Sequence, residues 1–155
     1  AEGYNLNRPS NGNTNGKSDG SSENALKVDK AGSAAETIKQ RQDDLDAVVN
    51  SYKKFGSADI KTQIQDFEKA GGKFVYDNQY SGTGYYQEST QTIAMGKGNW
   101  DNPWSGYAPG REGVERTVPH EIYHFMHHET YNVEEPLAQI FGPAQRDTLK
   151  QNRGW

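Results

Sequence analysis

The segment His120-Glu121-Ile122-Tyr123-His124 constrains this chain more than any other. Two histidines four residues apart share a face only on a helix, where both rings can converge on one metal ion. Glu121 follows the first histidine, beside such an ion, where its carboxylate can take a proton from a water activated there. At average residue usage this pattern arises by chance in fewer than roughly one chain in a hundred of this length. Pro119 directly before it removes a backbone donor, which leaves two solutions. Either Thr117 is the N-cap and Pro119 lies in the first turn, or a longer helix from about Glu112 runs through it. Both keep His120 and His124 one turn apart. Val114, Val118, Ile122 and Phe125 form an apolar stripe for the core, and the ligand face lies on another side of the helix.

The rest of the chain must build a scaffold for that helix. Of its 155 residues only 32% are hydrophobic, and the deficit is concentrated at the start. Residues 1–30 read as a flexible Gly/Asn/Ser-rich linker or tail, because such a segment buries too little surface to offset its ordering entropy. Residues 31–155 form the folded domain. A chain opening on alanine is expected to be a processed product or a domain of something longer. Helical spacing of Ile38, Leu45, Val48 and Val49 predicts a helix from about Ala34 to Tyr52. Ser57 caps a second helix, roughly Ala58 to Ala70, with Ile60, Ile64 and Phe67 on one face and Gly71-Gly72 at its stop.

The period then changes to that of strands, at Lys73–Tyr76, Gly84–Gln87 and Gln91–Met95, read as a small antiparallel sheet. An aromatic loop with Trp100, Trp104, Tyr107 and Pro109 follows. These aromatics read as anchors of the loop to the core; the alternative is that they line a cleft beside the metal. A final helix from about Glu134 to Gln151 presents Leu137, Ile140 and Phe141 as its buried face, with Gly142-Pro143 as a point of bending or breaking. The fold class is α+β: N-terminal helices, a small sheet, the motif helix, then one more helix.

The chain has no cysteine, so disulfides and thiolate ligands are excluded and histidines and carboxylates are the strong zinc ligands left. A net charge of −4 with no Lys/Arg run favours neither nucleic acid nor an anionic membrane. No apolar stretch has the length of a membrane span. Catalytic zinc takes three protein ligands and keeps a position open, so a third donor is required. The candidates are His127, His128, Glu129, Glu134 and Glu135. His127 and His128 sit too close on the same helix to complete a tetrahedron. The metzincin pattern, with glycine three and histidine six residues after the second motif histidine, is excluded by His127 and Thr130.

Glu135-Pro136-Leu137-Ala138-Gln139-Ile140-Phe141-Gly142 resembles the glutamate-bearing helix of the gluzincins, the thermolysin-like metallopeptidases. With the His-Glu-x-x-His motif, the resemblance spans Val118 to Gly142. It implies a zincin-like fold with Zn2+ held by His120, His124 and Glu135, Glu134 being the alternative ligand. The gap from His124 to Glu135 is shorter than in that family. Gln139 stands where the family carries an aspartate that orients a ligand histidine, and Glu134 replaces an asparagine. The short spacing resembles minimal zincins of bacterial effector and toxin domains. That implies a secreted or translocated monomer acting on a protein or peptide substrate, with a possible cognate inhibitor or immunity protein.

The mechanism implied is hydrolysis of a peptide bond by a zinc-activated water with Glu121 as general base. Tyr131, between the ligand helices, is the first candidate to stabilise the oxyanion, ahead of Arg146 and Tyr123. Two alternatives stand beside this expectation: a zinc amidase acting on a cell-wall or other non-protein amide, and a zinc-binding interaction module without activity.

Overall fold

The computed structural model of the chain describes residues 24–154, with side chains from residue 34 onward. The linker expected over residues 1–30 lies outside the described residues as far as 23, and residues 24–30 belong to the first helix. The elements are α1 (Asn24–Phe55), α2 (Ala58–Lys69), β1 (Lys73–Asp77), β2 (Gly84–Gln87), β3 (Thr92–Gly96), α3 (Gly98–Asp101), α4 (Arg111–Met126) and α5 (Tyr131–Arg153). A small sheet and a set of helices share one core, an α+β fold.

Local chemistry accounts for most boundaries. Ser57 Oγ accepts the Ile60 N–H at 3.1 Å, capping α2. Gly71, with φ +91°, ends that helix in the left-handed region. The core joins Leu45, Val48 and Tyr52 of α1 to Ile60, Ile64 and Phe67 of α2. Ile93 and Met95 of the sheet, Val114, Val118 and Ile122 of α4 and Leu149 of α5 complete it. Phe125 is partly buried against this cluster, so the apolar stripe of α4 packs as its spacing predicts. Ile38 is an exception, 38% exposed near the outer part of α1.

The sheet is mixed rather than antiparallel. Its order is β1-β3-β2, with β2 antiparallel to β3 and β1 parallel to it. The hairpin between β2 and β3 turns through a 3-10 segment, Glu88–Thr90, and a left-handed Gln91. The connection from β1 to β2 forms no hairpin. It crosses the end of β3, where the carbonyls of Thr83, Tyr80 and Gly82 accept from Gly96, Lys97 and Gly98 at 2.8–3.0 Å. A side chain at Gly96 or Gly98 would strike that crossing backbone, so these glycines admit the loop and seat β3 in the middle.

α4 runs through Pro119 as one helix from Arg111, the longer of the two solutions. Proline removes the donor that would serve the Glu115 carbonyl. The buried Tyr52 hydroxyl donates to that carbonyl instead, so the core of α1 supplies the missing bond.

α5 also continues through its two prolines and through Gly142. The carbonyls they leave without helix partners belong to Asn132 and Gln139, both exposed residues. The face predicted to be buried is corrected: Leu137 is 47% and Ile140 68% exposed, and Phe141 is half-buried. The buried residues are Glu134, Ala138, Gly142 and Leu149. A methyl group on Gly142 would lie 2.7 Å from the Arg116 carbonyl oxygen, so α5 approaches α4 closely through its small residues. That close approach, rather than apolar burial, sets the orientation of α5, and it turns Glu134 and Glu135 toward the histidines.

Candidate metal centre

His120 and His124 are buried on α4, at 3% and 2% exposure, and Glu135 reaches them from α5. Glu135 Oε1 lies 3.0 Å from His120 Nε2 and 2.9 Å from His124 Nε2. The three donor atoms all fall within 4.8 Å of one another. Two imidazole nitrogens and one carboxylate oxygen thus point at a common centre, a donor set that fits zinc.

Glu134 is not part of that convergent group. Its Oε1 lies 2.7 Å from the other nitrogen of His124, Nδ1, and its Oε2 accepts the Glu129 N–H at 2.7 Å. A carboxylate there holds the proton on Nδ1 and leaves the Nε2 lone pair for the centre. Gln139 donates to Glu135 Oε2 at 2.9 Å, fixing the third donor. His127, His128 and Glu129 are exposed; His127 stacks on Tyr123 at 3.8 Å.

Glu121 is 2% exposed, with Oε2 4.0 Å from His120 Nε2. Its Oε1 has no hydrogen-bond partner among the described residues. Gly84 of β2 lies beneath it, where a Cβ would come 3.5 Å from Glu121 Cγ and 2.6 Å from Thr117 Cγ2. Burial pushes the Glu121 carboxyl up; the two histidines oppose this and Glu135 reinforces it.

Tyr131 stacks on His124 at 5.8 Å. Burial and the charges of Glu135 and Glu121 push its hydroxyl up to about 12, so it stays a donor. Of the weaker candidates, Tyr123 packs on His127 and Phe141. Arg146 is held by Glu115 at 3.0 Å and lies 3.6 Å from Glu112. Two further groups reach the site, Tyr80 with no signal in the sequence and Arg116 signalled only by its spacing of four from His120. Tyr80, from the loop after β1, stands edge-on to Tyr85, and burial followed by the charges of Glu121 and Glu135 raises its pKa. Arg116 lies one turn before His120 and is buried.

The aromatic loop divides between the two expected roles. Trp100 packs on the core and against Tyr76. Trp104 flanks the site, 6.2 Å from the His120 ring, and its indole N–H donates to Thr117 Oγ1 at 3.1 Å. Buried Asn99 ties this region together, donating to the Thr83 carbonyl and accepting from Thr117.

The charges set a pH dependence. Burial works against a charged His124, but Glu135, Glu121 and Glu134 outweigh it and raise its pKa. Burial likewise works against an ionised Glu135, but hydrogen bonds from His120 and His124 hold it well below the usual carboxylate range. The Glu135 contribution to stability is present above its unfolded pKa of about 4.3 and is lost as pH falls toward the depressed value. The His124 contribution is complete below about 6.5 and is lost as pH rises through the raised value. Glu121, also raised, loses its smaller share already from about 4.3 upward. Chelator-treated protein is expected to be most stable near pH 5–6, roughly between these unfolded values, and weaker at pH 8. Zinc should reverse the trend, because its ligands must be deprotonated. Denaturant titrations across this range, with and without zinc, check both signs.

No helix among the described residues is long and apolar enough to cross a membrane. Comparisons with protein-family models, curated proteins and solved structures found no match to this chain.

Proposed function

We propose that this domain is a zinc-dependent metallopeptidase. The observation that carries the proposal is the convergence of His120 Nε2, His124 Nε2 and Glu135 Oε1 beside a buried Glu121 with an unpartnered oxygen. Three protein donors and a free carboxylate fit a hydrolytic site, whereas a structural zinc site would claim a fourth protein ligand. When bound, zinc supplies Lewis-acid chemistry, acidifying a water and polarising a carbonyl. Glu121 accepts the proton of the attacking water and returns it to the leaving amine. The hydroxyls of Tyr131 and Tyr80, kept protonated by burial and by the nearby carboxylates, are the donors available to a developing oxyanion. Glu134 and Gln139 hold the donor atoms in place.

Elemental analysis tests the metal first. About one zinc per chain is expected in the wild type and in Glu121→Gln, and none in Glu135→Gln. Glu134→Gln should retain zinc with about 10–100-fold weaker affinity, since it alters only the orienting partner of His124. A folded wild-type protein that takes up no zinc on titration overturns the proposal. Cleavage of a peptide against a peptidoglycan fragment then separates the peptidase from the amidase.

A further inference from the structure

Among the described residues, Arg41, Arg111, Arg146 and Arg153 each have a carboxylate partner, in Asp101, Asp44 and, for the last two, Glu115. Arg116 is the most buried of the described arginines, at 8% exposure, and it forms no ion pair among the described residues. Its Nη1 is buried with no hydrogen-bond partner there. The guanidinium lies 3.5 Å over the Trp104 ring and 5.9 Å from that of Tyr107, whose side chain hydrogen-bonds it, and it feels the charge of Glu135. A buried guanidinium with an unsatisfied N–H is costly, and here that cost falls one helical turn from a metal ligand. Trp104 bridges the two, touching the guanidinium and flanking the His120 ring.

We propose that Arg116 recognises a carboxylate of the substrate next to the bond that is cut, an inference that rests on the metallopeptidase reading of the same site. Four residues along a helix advance about 6 Å, and neighbouring residues of an extended peptide lie about 3.8 Å apart. The guanidinium therefore suits an anion on the residue adjacent to the scissile bond rather than a remote one. Its planar fork matches a carboxylate with two parallel hydrogen bonds. Nη1 is itself buried, so the half-buried Trp104 indole must swing aside to admit the ligand. The carboxylate can be the free C-terminus or an acidic side chain.

The test uses the full chain carrying Glu121→Gln, which prevents turnover, both zinc-loaded and chelator-treated. Three acetylated tripeptides serve as probes: trialanine with a free C-terminus, its C-terminal amide, and Ala-Glu-Ala amide. The readouts are the NMR signals of the Arg116 Nε–H and the Trp104 indole N–H, with affinities from the titrations. A carboxylate-bearing probe should bind at least about tenfold more tightly than trialanine amide and shift both signals. Whichever of the two anionic probes responds identifies the source. Arg116→Gln should abolish the preference while neutral-probe binding persists, and Arg116→Lys should retain part of it. Equal binding of acid and amide, no shift with any probe, or a preference surviving in Arg116→Gln overturns the assignment. A preference that persists in protein unable to take up zinc supports Arg116 as the anion site while removing the metallopeptidase reading.

Discussion

Replacing Glu121 with glutamine is expected to cut turnover by about 10²–10⁴-fold while zinc content stays that of the wild type. Glutamine keeps the volume of a side chain that is 2% exposed and packed over Gly84, so the fold and the three donors should persist. What disappears is a buried carboxylate beside the histidines that hydrogen-bonds neither of them among the described residues. Its unpartnered Oε1 marks where a water can be received. Activity should grow with pH as Glu121 ionises; burial raises its pKa in the metal-free site, and the positive charge of a bound zinc would act in the opposite direction. The assay is cleavage of an unfolded protein, mapped by mass spectrometry, followed by kinetics on a cleaved peptide. Wild-type turnover in Glu121→Gln would remove the general-base role outright.

The motif helix was legible because its chemistry and its packing have separate periodicities. Val114, Val118 and Ile122 face the core while His120, Glu121 and His124 face the centre, and both patterns survive in one linear sequence. The Ser57 cap and the strand at Gly84–Gln87 were legible for a similar reason, since each is decided by its own residues. The sheet pairing was not, because a loop that crosses β3 depends on backbone clearance at Gly96 and Gly98, which strand periodicity does not encode. The face of α5 misled because an apolar count assumes that large residues turn inward. Here Ala138 and Gly142 turn inward so that Glu134 and Glu135 can reach the histidines. Adjacency in sequence also left Glu134 and Glu135 undivided. Only the placement of the His124 ring shows that they approach its opposite nitrogens. Tyr80 comes to the site by tertiary packing alone; Arg116 shares the His120 face of α4 at i, i+4, but nothing local to it distinguishes it from scaffold.

The largest loss of stability is expected from Glu115→Ala, about 3–5 kcal/mol, although this residue does not touch the centre. Glu115 accepts from Arg146 Nε at 3.0 Å and from Arg153 Nη1 at 2.8 Å, and all three side chains are about nine-tenths buried. These bonds fasten the C-terminal half of α5 to α4, while Gly142 sets the close approach nearer the site. Most of the cost is not lost attraction. It is the loss of the buried anion that two poorly solvated guanidinium groups share; Arg146 keeps the more exposed Glu112 at 3.6 Å. That distinction can be measured. Glu115→Gln keeps shape and one acceptor but no charge, and should lose nearly as much as alanine. The combined Glu115→Met, Arg146→Met, Arg153→Met variant strands no charge and should recover more than half of the loss. Denaturant midpoints with unchanged slopes would report these differences directly. Should the combined variant be as unstable as Glu115→Ala, the network would be holding α5 by its geometry rather than by balance of charge. Zinc affinity should then fall in parallel, because the same helix carries Glu134 and Glu135 to the histidines.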